Sequence, residues 1–206
     1  MEKQLAHIRN FSIIAHIDHG KTTLTDAFLK ATGTISKTET RERIMDSNPI
    51  EQEKGVTIKL APVMMDYELD GKKYYLNLID TPGHVDFGYE VSRSLAACEG
   101  ALLLIDATQG VQAQTLANYE KAKALGLKII PVINKIDLPS ADVDQATLEI
   151  MELLGVDEGE IYKTSAKNNI GIEEVLEAIV KEIPAPTGDI EKPTKAMVIT
   201  SLFDSH

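Results

Sequence analysis

Apolar runs of strand length alternate with helical stretches along nearly the whole chain. Ile8 to Ala15 is a short apolar run that ends in a glycine-bearing loop, and Lys21 to Ala31 follows with helical periodicity. Leu60 to Leu69 and Lys73 to Ile79 are β-rich and joined by Asp70-Gly71, a strong two-residue hairpin signal. Ala101 to Asp106 and Lys128 to Ile133 are bounded apolar runs of the type found in buried parallel strands. Helical stretches fall at Val85 to Cys98, Val111 to Leu125 and Val143 to Leu154, and a short strand at Glu160 to Thr164 precedes a last helix at Ile172 to Ile183. The alternation predicts right-handed βαβ units with helices on both faces of a mostly parallel six-stranded sheet, to which the hairpin adds one antiparallel strand. That is a three-layer α/β domain.

Two stretches break the rhythm. Gly33 to Thr57 runs for 25 residues without a periodic pattern, longer than ordinary connections in compact domains. Pro184 to Pro193 carries three prolines and a glycine and reads as a linker. Residues 1–183 are thus expected to form one domain, 184–195 a linker, and 196–206 the first strand of a second β domain that the chain does not complete.

Composition narrows the class. A length of 206 residues with 43% hydrophobic residues suits one domain with a sizeable core. There are 21 basic and 32 acidic residues, a net charge of −11, which argues against a stand-alone domain that grips nucleic acid through its phosphates. The charge is uneven: 9 basic and 8 acidic residues in 1–60 give +1, whereas 5 and 14 in 141–206 give −9. The half expected to meet phosphate is near neutral. The one cysteine, Cys98, excludes a disulfide framework, fits a reducing cytosol, and is expected in the core. The longest uninterrupted apolar stretch, Ala101 to Ile105, is far short of the roughly 20 residues of a membrane span, and no secretory signal pattern is present.

Residues 15–22, Ala-His-Ile-Asp-His-Gly-Lys-Thr, lie between an apolar strand and a helix. They match the phosphate-loop pattern G-x-x-x-x-G-K-[ST] except that Ala15 stands for the first glycine. Alanine costs little there if its φ is negative. Gly20 lets backbone approach phosphates, and the loop N–H groups with the helix N-terminus bind anions. Lys21 is placed to reach the β- and γ-phosphates and the Thr22 hydroxyl to ligate Mg²⁺. The loop alone does not choose ATP over GTP.

Three further motifs follow strands. Asp80-Thr81-Pro82-Gly83-His84 places a carboxylate at a strand end to hold water on Mg²⁺, and a glycine whose N–H can turn to a γ-phosphate. Asn134-Lys135-Ile136-Asp137 offers a carboxylate that can accept two hydrogen bonds from guanine N1–H and N2–H, a pattern adenine lacks. Lys135 would lie along the base and Asn134 would tie neighbouring loops. In Ser165-Ala166-Lys167 the Ala166 N–H could meet guanine O6. Each motif alone is weak, but four in order at strand C-terminal ends are not accidental. Thr57, at the end of the long irregular loop, is the second hydroxyl expected on Mg²⁺, and a loop ordered by the γ-phosphate and then released makes 33–58 a switch. His84 stands where a water-orienting residue is needed; it can reach the water or, if protonated, the phosphate. His16 and His19 read as loop packing, and His7 and His206 as residues of mobile ends. An alternative to catalysis is a nucleotide-gated binding module in which hydrolysis is incidental; an ATPase or kinase is a third reading.

These motifs, and the chain as a whole, resemble the translational GTPases, a ribosome-stimulated branch of the P-loop GTPases. Ala15 to Thr22 and Asp80 to His84 are characteristic of that branch, where Ras-like proteins carry Asp-x-Ala-Gly-Gln. Within it, Asp86 to Gly100, Gln112 to Asn118 and Asn134 to Pro139 look like LepA (elongation factor 4). Ile44 to Asn48 is more similar to the BipA/TypA branch, and Lys54 stands where LepA usually carries arginine. Only 27 residues separate Asp137 from Ser165, too few for the extra subdomain of elongation factor G. The resemblance implies a P-loop GTPase fold that hydrolyses GTP to GDP with Mg²⁺. It implies nucleotide contacts from Asp18, His19, Gly20, Lys21, Thr22, Thr23, Gly83, Asn134, Lys135, Asp137, Ser165, Ala166 and Lys167. Metal contacts fall to Thr22, Thr57 and Asp80, catalysis to His84, an apolar gate to Ile17 and Val56, and a monovalent cation site to the neighbourhood of Asp18. It further implies a cytoplasmic monomer that works on the ribosome through further C-terminal domains and rRNA, with peripheral association at the cytoplasmic membrane face allowed.

Overall fold

The computed structural model describes residues 5–35, 62–79, 88–188 and 193. In chain order the elements are β1 (Ile8–Ala15), α1 (Lys21–Ala31), β2 (Pro62–Leu69), β3 (Lys72–Ile79), α2 (Gly88–Ala96), β4 (Gly100–Asp106), α3 (Ala113–Ala124), β5 (Lys128–Asn134), α4 (Val143–Leu154), a 3-10 turn (Glu158–Glu160), β6 (Tyr162–Lys163) and α5 (Ile172–Glu182). The strands form one six-stranded sheet in the order β2-β3-β1-β4-β5-β6. All neighbouring pairs are parallel except β2 with β3. The three-layer α/β expectation holds. β1 lies at the centre, and the chain crosses it in passing from β3 to β4. The order of strands therefore switches at β1, and the crevice beyond its C-terminal end is where such sheets bind ligands.

Alternate residues of the central strands feed two separate cores, because successive side chains leave a strand on opposite faces. Phe11 and Ile13 of β1, Leu102 and Leu104 of β4, and Ile130 and Val132 of β5 pack with Leu24 and Phe28 of α1 and Leu176 and Ile179 of α5. On the other face Ile14, Leu103, Ile105 and Ile133 meet Leu95 of α2, Tyr119 and Ala122 of α3, and Ile150 of α4. Every residue of β4 is buried, which is why its sequence reads as an unbroken apolar run. Each large aliphatic side chain so enclosed contributes about 1.5–3 kcal/mol relative to exposure. α5, with Val175, Leu176 and Ile179 fully buried, is thereby fixed to the sheet, and the loop before it is fixed too.

The hairpin turns as its sequence demands: Asp70 and Gly71 take φ of 52° and 71°, and Leu69 pairs with Lys72. Other boundaries differ from the periodic reading. The strand expected over Glu160 to Thr164 is only Tyr162–Lys163, because Glu160 belongs to the 3-10 turn and only two residues reach register with β5. α3 begins at Ala113 instead of Val111, since Gln112 before it keeps an extended backbone at φ −100° and ψ 152°, and the Val111 N–H donates to Glu149 Oε2 at 2.8 Å. Cys98 lies past the end of α2 but is buried, as expected, and its thiol meets Ser94 O at 3.2 Å. His7 is not a loose end. Its Nδ1 lies 2.8 Å from Lys73 O, and its own carbonyl accepts from the Tyr75 N–H.

Candidate guanine-nucleotide site

Residues 16–20 bridge β1 and α1. Ala15 closes β1 at an ordinary negative φ, so the missing glycine carries no backbone penalty. Asp18 and Gly20 take φ of 64° and 94°, and Gly20 serves as the N-cap of α1. That helix has no side-chain cap and no acidic residue in its first turn. Compare α4, whose Asp142 carboxylate accepts the Gln145 N–H at 2.9 Å. At such a helix start the dipole places positive partial charge, which favours a bound anion. Thr22 and Thr23 are exposed there.

His19 points the other way. It is fully buried, with Nδ1 3.3 Å from Leu104 O and its ring 5.3 Å from that of His16. Burial above all drives its pKa below the usual histidine value, so the ring is neutral near pH 7. This is the loop packing read from the sequence, and any contact of His19 with a nucleotide has to come from its backbone.

Asn134 ties three loops together. Its Nδ2 donates to His19 O at 3.0 Å. Its Oδ1 accepts from Thr164 Oγ1 at 3.3 Å and from the Ala166 N–H at 3.1 Å. The Ala166 N–H, assigned to guanine O6 from the sequence, is thus engaged with Asn134 in this structure. The same amide gives Gly20 a second reason: a Cβ on residue 20 would stand 2.4 Å from Asn134 Nδ2. Lys135, at φ 64°, reaches back across the site. Its Nζ donates to Asp18 O at 2.5 Å and pairs with Asp106 Oδ2 at 2.7 Å.

Asp137 is exposed. A hydrogen bond from Ser165 outweighs its partial desolvation, and with help from Lys167 and Asn168 holds the carboxyl below the usual carboxylate range. It is an ionised acceptor at neutral pH, as recognition of two neighbouring N–H groups requires. Gly20, Thr23, Asn134, Lys135, Asp137, Ala166 and Lys167, joined by Leu138, line one pocket of about 220 Å³. Three of the motifs thus converge. Ile17 is 42% exposed at the rim of the phosphate loop. Val56, Thr57, Asp80, Gly83 and His84 lie outside the described residues, as do most of the proposed switch and residues 196–206. Among the described residues no group of three or more histidine, cysteine or acidic side chains could hold a metal.

Sequence reasoning missed Asp106. It ends β4 in register with Asn134, is wholly buried, and accepts from Thr108 N and Oγ1 at 2.8 and 2.7 Å and from Gln109 Nε2 at 3.1 Å. Burial raises its pKa, but the bonds from Lys135 and Thr108 together outweigh this and hold it below the usual range. The signal was available: a carboxylate closing an otherwise apolar strand must have a partner.

A helix start behind a left-handed glycine thus shares one pocket with an ionised carboxylate and a lysine at the switch point of an α/β sheet, the arrangement of a nucleotide-binding α/β domain. Residues 6–185 match the family described as the elongation factor Tu GTP binding domain, and the chain belongs to that family. It is similar to elongation factor 4 of Aquifex aeolicus (strain VF5), 59% identical over 201 residues, 97% of this chain and 34% of that protein. It is 56% identical over 207 residues to elongation factor 4 of Limosilactobacillus reuteri (strain DSM 20016), again covering 34% of that protein. The chain spans about a third of the length of these relatives. No helix among the described residues is long and apolar enough to cross a membrane.

Proposed function

We propose that this domain binds GTP with Mg²⁺ and hydrolyses it to GDP and phosphate, as the GTPase part of a translation factor of the elongation factor 4 type. The observation that carries the reading is the convergence of Gly20, Asn134, Lys135, Asp137 and Ala166 on one pocket at the end of β1, β5 and β6. The residues fit the ligand: a Cβ-free cradle at Gly20, a helix start without a side-chain cap or acidic residue, and an ionised carboxylate at Asp137. In this reading Asp137 accepts from guanine N1–H and N2–H, Lys135 covers the base, and Ser165 and Lys167 border it. Lys21, Thr22 and Thr23 hold the phosphates at the helix N-terminus, where positive partial charge accumulates. Mg²⁺, held by Thr22 with Thr57 and Asp80, would neutralise charge on the phosphate oxygens. His84 orients the attacking water or contacts the γ-phosphate, with Gly83 beside it, Ile17 and Val56 as its apolar gate, and 33–58 as the segment that reports the γ-phosphate. Asp18 is the acid proposed beside a monovalent cation.

Such a site works by positioning and charge stabilisation. A partner that completes such a site gives about 10⁵-fold, roughly 7 kcal/mol of barrier. We take that partner to be the ribosome, met by a cytoplasmic, monomeric factor through domains that follow the linker at 184–195. The test is nucleotide competition and turnover. GTP should displace fluorescent GDP where ATP does not, and Asp137→Asn should abolish the preference for guanine; unaltered selectivity overturns the assignment. Hydrolysis should be slow alone and stimulated by ribosomes. Turnover at tens per second without them refutes the need for a partner, and unchanged turnover in His84→Ala removes that residue from catalysis.

A further inference from the structure

The guanine loop and the phosphate loop are joined by a single ammonium group. Lys135 Nζ sits between the Asp18 carbonyl of the phosphate loop, at 2.5 Å, and Asp106 Oδ2 at the end of β4, at 2.7 Å. The lysine is partly exposed while Asp106 is wholly buried, so the pair is anchored from inside. Asp106 is itself immobilised. Thr108 N and Oγ1 and Gln109 Nε2 donate to it, and its backbone carbonyl accepts from the N–H groups of Gln109 and Gly110. The turn lies against α4, where the tip of the Glu149 side chain, Oε2, stands 2.4 Å from the position that a Cβ on Gly110 would take. Glu149 also takes the Val111 N–H at 2.8 Å.

We infer that Asp106 is a positioning residue for the guanine-nucleotide site, acting through Lys135 to hold the phosphate loop and the guanine loop in mutual register. Two consequences follow from the geometry. The buried carboxylate neutralises the lysine, which leaves Lys135 a fixed cover for the base instead of a mobile cation. A backbone carbonyl at Asp18, in the left-handed region at φ 64°, is held by that same lysine, so the shape of the phosphate loop depends on a residue of the base-binding motif. A charged hydrogen bond of this kind is directional and about twice as strong as a neutral one.

The inference rests on the nucleotide reading given above, and the experiment separates the two. Dissociation of fluorescent GDP from the 206-residue chain is measured for wild type, Asp106→Asn, Lys135→Met and the double variant, each with a melting curve. Asparagine keeps the volume and the acceptor toward Thr108 but loses the charge. Asp106→Asn should speed dissociation about 10-fold, Lys135→Met by a similar factor, and the double variant by no more than twofold beyond the worse single. Multiplying effects, or an Asp106→Asn that melts lower yet releases GDP at the wild-type rate, overturns the inference and leaves the nucleotide reading intact. A wild-type chain that does not bind GDP sinks that reading itself. Should Asp106→Asn not fold, Thr108→Val removes one hydroxyl donor to Asp106 at a partly exposed position. It should then speed release two- to threefold in wild type and have no effect in Lys135→Met, and an equal effect in both refutes the coupling.

Discussion

Gly20→Ala is the sharpest probe of the site's construction. Two separate penalties meet at this position. Residue 20 has φ +94°, where a side chain is strained, and left-handed backbone costs about 1–2 kcal/mol for an L-residue. The new Cβ would also stand 2.4 Å from Asn134 Nδ2. That amide cannot step aside freely, because both ends are held: Nδ2 by His19 O, and Oδ1 by Thr164 and Ala166. Displacing it leaves buried polar groups unpaired, at about 1–3 kcal/mol. The sum is about 2–5 kcal/mol, a large share of the roughly 5–15 kcal/mol that holds a domain folded. Gly33 isolates the first penalty: its φ is +68°, but nothing lies within 4 Å of where an added methyl would sit. Urea unfolding without nucleotide should therefore show Gly33→Ala losing about 1–2 kcal/mol and Gly20→Ala losing clearly more. In an Asn134→Ala background the contact is gone, and the cost of Gly20→Ala should shrink to that of Gly33→Ala. Equal losses at the two glycines, or a Gly20→Ala cost untouched by Asn134→Ala, would refute the claim that Asn134 is what forbids a side chain at residue 20.

Other consequences can be checked in the same preparation. Gly171→Ala sets a Cβ 2.2 Å from the Lys163 carbonyl, which is backbone and cannot rotate away, whereas Gly155→Ala meets nothing within 4 Å at a similar φ. Denaturation should show Gly171→Ala the more destabilising by at least about 2 kcal/mol, and GDP affinity should fall with it because β6 leads into the guanine loop. The Cys98 thiol, pushed up to about 12 by burial first and Glu99 second, should resist a thiol reagent at pH 8 until urea unfolds the chain; prompt labelling of the native protein would contradict its buried position. His19 has a folded pKa below its unfolded value of about 6.5, so the unfolded chain binds the extra proton first. Its contribution is complete above pH about 6.5 and shrinks as pH falls through that value toward the folded pKa. The urea midpoint should drop between pH 7 and 5, with a shallower drop in His19→Asn; parallel curves would remove His19 from the titration.

Most of the fold could be read from the chain because the sheet is buried on both sides. Gly100 to Asp106 and Lys128 to Asn134 need apolar residues at nearly every position, so their ends are marked where polarity returns. β6 escaped that logic. With only two residues in register with β5, its extent is set by pairing geometry and by the 3-10 turn before it, neither of which leaves a period in the sequence. His7 misled for a related reason: nothing near it in sequence predicts a bond to Lys73, 66 positions away.

The site was legible as chemistry and only in part as architecture. Glycine, lysine, asparagine and aspartate at strand ends declare a phosphate and a guanine base, because few other residue types can contact those groups. The motifs declare only part of how they hold one another: Asn134 is expected to tie neighbouring loops and does, whereas Lys135 is expected only along the base. Asn134 bonds the phosphate loop 115 positions away, and Lys135 bonds it 117 positions away. The side chains that identify the ligand are also beams of the site. Loss of nucleotide binding in Asn134→Ala therefore does not by itself make Asn134 a ligand contact. The nucleotide-free stability has to be measured alongside it, and Asn134 is expected to fail on stability first, whereas exposed Asp137 should fail on binding alone.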